Sequence, residues 1–254
     1  MLQVRAIPVL LLSGEGFYKT KRFQKPAYLG DPINILRIFN DKEVDEILIL
    51  DIEATPGNAL PNYELLTKIA SECFMPLSYG GGLDSIEKIA KIFSCGFEKV
   101  CLNTAAYKNP VLISQAAAKY GSQSVMVSID VKKNFLGRYD TYVLGGRKKT
   151  GKGPVDFAQE CERRGAGEVV INSIDNDGVM NGYDVKLVKQ VADAVSIPVI
   201  ACGGAGTVEH MRDAVRTGQA SATAAGSMFV FQGPHRAVLI NVPSRDALES
   251  VFAE

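Results

Sequence analysis

The sequence has no excess of charge of either sign and no long apolar run. Its 254 residues include 28 Lys plus Arg and 28 Asp plus Glu, so the formal net charge at pH 7 is zero. Nucleic-acid-binding proteins carry a basic excess, so its absence gives no support to that class of partner. No apolar run approaches the roughly 18 residues of a membrane-spanning helix, and we therefore expect no membrane partner either.

The sequence is also poor in residue clusters that bind metals or form disulfides. Its two histidines, His210 and His235, lie far apart, and its five cysteines are scattered, with no Cys-x-x-Cys spacing. Neither a zinc site nor a disulfide framework is indicated, and no cluster implies a metal or an organic cofactor. Reduced thiols are typical of a cytoplasmic protein, which is the location we expect. The apolar run Ala6–Leu12 has no cleavage pattern after it, so we interpret it as a buried strand.

The sequence does have a regular alternation of short apolar runs and amphipathic stretches. Each run is too short for a helix and is apolar on both faces, as parallel strands are. Eight strands that alternate with helices in about 250 residues predict an α/β fold, a single (β/α)8 barrel domain over residues 1–254. The eight runs are Ala6–Leu12, Ile47–Ile52, Met75–Tyr79, Val100–Leu102, Val125–Ile129, Val169–Ile171, Ile197–Cys202 and Ser221–Ala225. Helices are predicted at Asp31–Glu43, Ser85–Ser94, Asn109–Tyr120 and Val208–Thr217.

The chain also repeats itself at one offset. Pro32 and Pro154 are 122 residues apart, and six further places share this spacing. One register kept over such a span predicts two half-barrels, about residues 1–122 and 123–254, within one domain. The offset fails at the first and fifth strands, which differ in loop length. The other matched positions are Glu46 and Glu168, Ile49 and Ile171, Pro76 and Pro198, Gly81-Gly82 and Gly203-Gly204, Glu87 and Glu209, and Gly96 and Gly218.

Glycines follow two of the predicted strands, at the ends where such barrels bind ligands. Gly80-Gly81-Gly82 follows the third strand and Gly203-Gly204-Ala205-Gly206 the seventh. Glycines there let backbone N–H groups approach an anion, and the next helix adds its dipole. Turn formation alone is the alternative, but the symmetric placement favours two phosphate sites and an elongated ligand phosphorylated at both ends. The predicted phosphate-binding residues are Gly81, Gly82, Asn103, Thr104, Gly203, Gly204, Gly226 and Ser227.

Carboxylates also gather at the strand ends. Asp130 directly follows the apolar run Val125–Ile129, so it should point at the mouth of the barrel. A general acid or base there contributes roughly 10²–10⁴-fold to a rate. Asp51, Asp175 and Asp177 stand at other strand ends. Each of these side chains could instead cap a helix or close a loop turn.

A series of specific motifs runs along nearly the whole chain. They are Arg5 with Pro8, Gly80-Gly81-Gly82, Asn103-Thr104-Ala105-Ala106, Gly121-Ser122-Gln123, Ile129-Asp130, Gly145-Gly146-Arg147-Lys148, Asp175-Asn176-Asp177-Gly178 and Ile200-Ala201-Cys202-Gly203-Gly204-Ala205-Gly206. In this order they resemble HisF, the cyclase subunit of imidazole glycerol phosphate synthase. The resemblance implies a (β/α)8 barrel that binds a bis-phosphorylated substrate across its mouth, with Asp177 and Gly178 joining the phosphate sites.

The resemblance also implies a partner and a reaction. HisF proteins dock a glutaminase subunit, HisH, at the N-terminal face of the barrel, and ammonia passes up the barrel to the mouth. Two aspartates, at the ends of strands one and five, then carry out the cyclisation. Asp130 matches the second aspartate and Lys19 matches a lysine of the flexible first loop, but Leu11 stands in place of the first aspartate. Because leucine cannot move a proton, cyclisation should fall on the order of 10²–10⁴-fold if both carboxylates are needed.

Charged residues precede four of the predicted strands and resemble the ring that closes the bottom of the HisF barrel and gates ammonia. These are Arg5, Glu46, Lys99 and Glu168. Glu168 and Asn172 are four residues apart and so share a strand face, which makes Asn172 a mouth residue beside Lys19 and Asp51. Glu46 and Asp51 are five apart, so a bend would be needed to place them on one face. Ordinary surface charge is the alternative, but two bases and two acids would compensate one another if buried.

The leading hypothesis for the function depends on three features: Leu11, the charged ring and the C-terminal stretch Phe231–Ile240. The stretch is similar to that of HisF paralogs encoded with surface-polysaccharide genes. Those act with a HisH-like glutaminase and a separate amidotransferase that turns a sugar N-acetyl group into an acetamidino group, and we expect an ammonia-handling barrel of that kind. One alternative is a true synthase subunit that makes imidazole glycerol phosphate and AICAR, with Asp51 or Asp177 replacing the missing acid. Another is a non-catalytic adaptor that only activates the glutaminase.

Overall fold

Eight parallel strands close into a barrel. The computed structural model of the chain describes residues 4–57 and 59–253. The strands along the chain are Arg5–Ser13 (β1), Gly16–Lys21 (β2), Gln24–Gly30 (β3), Ile47–Asp51 (β4), Leu77–Gly80 (β5), Lys99–Leu102 (β6), Val125–Lys133 (β7), Tyr139–Val143 (β8), Lys148–Lys149 (β9), Glu168–Ser173 (β10), Val199–Cys202 (β11), Ala222–Ala225 (β12), Phe231–Gln232 (β13) and Ala237–Val238 (β14). The barrel is formed, in order, by β1, β4, β5, β6, β7, β10, β11 and β12, and β12 pairs with β1 to close it. The predicted (β/α)8 barrel is confirmed, because all eight apolar runs overlap barrel strands.

Helices connect the barrel strands, as the alternating pattern predicts. The first begins at Pro32, where the Asp31 carboxylate accepts the N–H of Asn34 at 3.0 Å and proline fills the first helical position. The helices are Pro32–Asp41 (α1), Tyr63–Glu72 (α2), Ile86–Ser94 (α3), Thr104–Lys108 (α4), Val111–Tyr120 (α5), Pro154–Arg163 (α6), Val185–Ala192 (α7), Val208–Arg216 (α8), Ser227–Val230 (α9) and Arg245–Ala253 (α10). Within the described ranges, none of them has both the length and the apolar character needed to cross a bilayer.

Strand side chains alternate between two apolar layers. On β1, Ile7, Val9 and Leu11 belong to the cluster inside the barrel, whereas Leu10 and Leu12 belong to the larger cluster between strands and helices. This double burial explains why the strands read as continuous apolar runs. It also means that most side chains in the interior below the mouth are apolar.

Three antiparallel hairpins stand beyond the C-terminal ends of the barrel strands. β2 and β3 extend from β1, β8 and β9 from β7, and β13 pairs with β14 after α9. The sequence pattern did not predict them, because they are short and largely polar or exposed. The first two follow the first and fifth barrel strands, which is where the repeat offset fails.

Three pairs of elements in the two halves of the barrel match in position. α1 and α6, α3 and α8, and β5 and β11 begin and end at positions that correspond under the same offset of 122 residues. The duplication therefore places the two glycine motifs on related loops of the same mouth.

Candidate functional site

The mouth holds a cavity of about 340 Å³ at the C-terminal ends of the barrel strands. Its lining brings together every mouth residue and every phosphate-binding residue that the sequence predicts. Residues from all eight barrel strands or the loops that follow them are therefore within reach of one ligand. These are Leu11, Lys19, Asp51, Gly81, Gly82, Asn103, Thr104, Asp130, Asn172, Asp177, Gly178, Gly203, Gly204, Gly226 and Ser227.

Asp130 is a buried carboxylate held by two amides. Its Oδ2 accepts the Asn103 Nδ2–H at 3.2 Å, and its Oδ1 accepts the Asn172 Nδ2–H at 3.3 Å. Burial raises the pKa of Asp130 to about 7, with the charge of Asp177 adding to the rise and the two amides opposing it. Both protonation states are therefore populated at neutral pH, which suits a group that accepts and returns a proton.

Leu11 faces Asp130 from β1, on the opposite side of the barrel. It is 8% exposed and packs in the inner apolar cluster with Val9 and Leu48, beside the half-buried Leu50. This side of the cavity is an apolar wall. The polar side of the mouth therefore holds the Asp130 carboxylate and its two amide partners, and the apolar side of Leu11 lies opposite it.

Lys19 reaches from β2 into the mouth and pairs with Asp177. The Lys19 Nζ lies 2.8 Å from Asp177 Oδ1, and both side chains are buried. The Thr20 hydroxyl donates to the other carboxylate oxygen at 3.4 Å. The Asp177 backbone N–H donates to the carbonyls of Ser173 and Ile174. Asp177 thus anchors the β2–β3 hairpin, and its carboxylate is already paired with the Lys19 ammonium group.

The first glycine motif follows β5 and lies against the loop after β4. Gly81 and Gly82 have φ angles of +129° and +66°, and a Cβ on Gly81 would lie 2.5 Å from the carbonyl oxygen of Asp51. Glycine is therefore required here for packing as well as for turn geometry. The Gly82 N–H donates to the Thr55 hydroxyl at 2.9 Å, and the Thr104 hydroxyl accepts the N–H of Leu144 at 3.0 Å.

The second glycine motif follows β11, beside the start of α9. Gly203 and Gly204 have φ angles of +85° and +123°. A Cβ on Gly203 would collide with the backbone of Ser173 at the end of β10, and one on Gly204 would collide with the Gly182 carbonyl in the β10–α7 loop. Ser227, at the start of α9, has a buried hydroxyl for which the described residues provide no hydrogen-bond partner. An anion at this loop would give that hydroxyl an acceptor.

Asp51 shapes a loop at the edge of the cavity. Its Oδ1 accepts the N–H groups of Glu53 at 3.0 Å and Ala54 at 2.9 Å, and its Oδ2 accepts the Tyr79 hydroxyl at 3.3 Å. Burial raises the pKa of Asp51, while these hydrogen bonds oppose the rise. Because Tyr79 belongs to the outer apolar layer, the Asp51 carboxylate is directed away from Asp130.

The four charged residues at the N-terminal ends of the strands form a closed ring. Arg5 contacts Glu46 and Glu168, each at 2.5 Å. Lys99 contacts the same two carboxylates at 3.0 and 3.1 Å. Each cation therefore bridges both acids. Glu46 lies just before β4 on the same face as Leu48, whereas Asp51 lies on the other face, as their spacing of five residues implies. No bend brings the two residues onto one face.

Two cysteines complete the mouth and were not singled out from the sequence. Cys101 on β6 and Cys202 on β11 are buried and line the cavity. Burial raises the pKa of Cys202 to about 12 and that of Cys101 further, so both are neutral thiols. Side chains alternate between the two faces of a strand, and this alternation places both thiols inside the barrel. The same argument applied to the sequence would have predicted their position.

The fold and the cavity together define the class of protein: a duplicated (β/α)8 barrel with a glycine-rich, polar mouth and a charged ring at the opposite end. Residues 6–234 match the model of the histidine biosynthesis protein family. The chain is 50% identical over 249 residues, 98% of this chain and 99% of the relative, to the "Putative imidazole glycerol phosphate synthase subunit hisF2" of Pseudomonas aeruginosa. It is 41% identical over 229 residues, 90% of this chain and 91% of the relative, to the "Imidazole glycerol phosphate synthase subunit HisF" of Alkaliphilus metalliredigens.

A third relative, the "Putative imidazole glycerol phosphate synthase subunit hisF3" of Vibrio vulnificus, is 44% identical over 245 residues, 96% of this chain and 94% of the relative. The chain belongs to the HisF-like histidine biosynthesis family, as the motifs in its sequence indicate.

Proposed function

We propose that this chain is a HisF-like subunit that takes ammonia from a HisH-like glutaminase through its barrel, and that it is a diverged paralog serving acetamidino-sugar synthesis for a surface polysaccharide. The observation that carries the proposal is the combination of an intact charged ring with Leu11 opposite Asp130. In this proposal the charged ring that admits ammonia is retained, and a leucine replaces one of the two acids that cyclisation needs.

The ring supports the ammonia part of this proposal. Its four side chains close the N-terminal end of the barrel, and the interior above them is lined by apolar groups such as Ile7, Met126 and Val170. Such a lining favours neutral ammonia over the ammonium ion, because an unpaired charge is costly in an apolar interior. The glutaminase would be sealed to this face, since ammonia released elsewhere would be lost to solvent.

The mouth supports the departure from ordinary cyclisation. The two acids proposed as substitutes for the missing one are both engaged. Asp177 is neutralised by Lys19, and Asp51 accepts two backbone N–H groups of its own loop. Asp51 is also directed away from Asp130, toward Tyr79. The genuine synthase subunit of histidine biosynthesis remains the alternative, and complementation of a histidine auxotroph would support it.

The first experiment measures cyclisation of the bis-phosphorylated histidine-pathway substrate with ammonium salt as nitrogen source. We expect the wild-type rate to lie at least about 10²-fold below that of an ordinary cyclase, because one proton-transfer group is missing. Leu11→Asp restores a carboxylate and should raise the rate, whereas the similarly sized Leu11→Asn should not. Wild-type cyclisation at an ordinary enzymatic rate would overturn the proposal.

The second experiment tests the ring. Lys99→Glu places three acids against Arg5, so the ring can no longer balance its charge. With the glutaminase present, we expect glutamine hydrolysis to continue while use of the released ammonia at the mouth is lost. Lys68→Glu, an exposed change on α2, is the control. Unaltered coupling in Lys99→Glu would show that the ring is not a gate.

The third experiment separates a working mouth from an adaptor that only activates the glutaminase. Asp130→Asn keeps the shape and most hydrogen-bonding capacity of the side chain but removes its proton chemistry. We expect the variant to assemble normally and to lose product. An unchanged yield of product would favour the adaptor instead.

A further inference from the structure

An apolar knob projects from the rim of the mouth. It is the turn of residues 134–138 between β7 and β8, here named the Phe135 turn. Phe135 is 96% exposed, more than any other large apolar side chain in the described residues, and Leu136 next to it is 64% exposed. Because the two side chains are adjacent, they form a contiguous apolar patch, and exposed apolar patches, unlike scattered single residues, mark interaction sites.

The Phe135 turn is ordered rather than loose. The Asn134 Oδ1 accepts the N–H groups of Leu136 at 2.9 Å and Arg138 at 3.1 Å. The Asn134 N–H donates to the Arg138 carbonyl, and Gly137, with a φ of +75°, closes the turn through its N–H to Asn134. Both apolar side chains are therefore presented on a defined backbone, which lowers the entropy cost of binding a partner.

The base of the hairpin is anchored to the neighbouring loop. The Lys133 N–H donates to Asp175 at 2.9 Å, and the Lys133 Nζ lies 2.7 Å from Asp184. The Tyr139 hydroxyl also donates to Asp184, at 2.8 Å. Because Asp130 on β7 precedes Phe135 by five residues, the Phe135 turn lies about 15 Å along the strand from the Asp130 carboxylate. A partner seated on the knob would therefore also cover the mouth.

The surroundings of the knob are basic. Lys132 and Arg138 flank it, both are exposed, and neither forms an ion pair with another residue that the structure describes. The neighbouring mouth turns expose Lys25 and Arg147 as well. Because the whole chain has a formal net charge of zero, this is a local concentration of positive charge. It is complementary to an acidic surface.

We propose that the Phe135 turn docks an acidic protein surface with an apolar pocket, belonging to the enzyme that consumes ammonia at the mouth. This inference rests on the proposed function. Free ammonia at the mouth is protonated or lost unless the acceptor enzyme covers the opening, and the knob lies where such a cover must make contact. A lipid surface would also accept Phe135 and Leu136 among basic side chains, but it would offer the ammonia no acceptor.

The test reconstitutes this chain with its glutaminase and the sugar amidotransferase from the same genome. It measures acetamidino product per glutamine hydrolysed. The variants are Phe135→Ser with Leu136→Ser, and separately Lys132→Glu with Arg138→Glu. The control is Ile38→Ser, which removes a 40% exposed isoleucine from α1, a helix on the outside of the barrel. All changed side chains are exposed, and urea unfolding checks that each variant is folded.

We expect each mouth variant to lower product formed from glutamine at least about tenfold, with glutamine hydrolysis unchanged, while the control behaves as wild type. Excess ammonium salt should restore product, because the amidotransferase itself is intact. Product from glutamine at the wild-type level in both mouth variants would overturn the docking site and leave the proposed function standing. A wild-type assembly that forms no product from either nitrogen source would overturn both.

A second measurement separates the protein partner from a membrane. The wild-type chain is floated with vesicles of phosphatidylglycerol and phosphatidylethanolamine. We expect it to remain in the protein fraction. Flotation that is lost in the Phe135→Ser, Leu136→Ser variant would assign the knob to lipid and overturn the proposal.

Discussion

At the scale of single residues, Asp130 shows how burial and hydrogen bonds determine the pKa of a carboxyl group. Asn103 and Asn172 each donate one amide N–H to its carboxylate, which favours ionisation, but the buried position of the group outweighs them. The result is a pKa of about 7 for a residue type that ordinarily ionises near 3.8. Leu11 across the mouth adds no charge and no hydrogen bond. The mouth therefore holds one carboxyl group with a raised pKa, and the side chain opposite it on β1 is a hydrocarbon.

Asp130 should make folding stability depend on pH. Because its folded pKa is raised, its contribution is fully present below the unfolded pKa and is lost as pH rises through the folded value of about 7. We expect the wild type to lose about 2 to 3 kcal/mol of unfolding free energy relative to Asp130→Asn between pH 5 and pH 8. Urea unfolding of both proteins at the two pH values measures this difference. A difference that does not change with pH would contradict the raised pKa.

At the scale of elements, close approach between loops determines where glycine is required. Gly178, in the β10–α7 loop, has a φ of +71°, and a Cβ there would lie 2.5 Å from the carbonyl oxygen of Thr20 on β2. Gly145, after β8, has a similar φ of +64° but open space around it. A comparison of these two positions therefore separates two contributions to the free energy of unfolding: the strain of a positive φ, which both share, and the steric contact with β2, which only Gly178 has.

Alanine at these two positions should give different results. Gly145→Ala should lower the unfolding free energy by about 1 kcal/mol, the cost of a left-handed conformation alone. Gly178→Ala should cost at least about 2 kcal/mol more, because β2 must move away from the loop. Urea unfolding compares the two variants. Equal costs would show that the hairpin does not press on Gly178.

At the scale of the whole molecule, the charged ring joins strands that are far apart in the chain. Arg5 and Glu168 are separated by most of the sequence, yet their side chains meet at 2.5 Å. Glu46 is the most buried member, at 3% side-chain exposure, and it also accepts the Ser78 hydroxyl at 2.6 Å. Removing one member leaves a partly buried charge without its partner.

The ring should behave as one unit in a double-mutant cycle. Glu46→Gln should lower the unfolding free energy by about 3 kcal/mol, because two cations then share one acid. Adding Lys99→Met restores the balance and should recover at least about 1 kcal/mol. Glu64→Gln, which breaks an exposed pair on α2, serves as control and should cause no measurable change. Strictly additive effects would show that the four charges do not interact.

Elements built on apolar periodicity were predictable, and those built on polar contacts were not. Runs such as Val169–Ile171 are buried on both faces, so their composition alone indicates a parallel strand. The β2–β3 hairpin carries Lys19 into the mouth, but its strand β3 is mostly exposed and has no such pattern. The Lys19–Asp177 contact spans 158 residues, and no local pattern in the chain encodes it.

The sequence by itself determined the barrel, its duplication and the set of residues at the mouth, because apolar period, repeat offset and glycine position are properties of neighbouring or regularly spaced residues. Only the tertiary structure decided how those residues meet: that Arg5 and Lys99 each bridge Glu46 and Glu168, that Asp177 is neutralised, and that Asp51 is directed away from Asp130. The closed barrel brings residues that are distant in the chain together at each of its two ends. Burial there requires the charges at the N-terminal end to pair with one another, and it raises the pKa of Asp130 at the mouth.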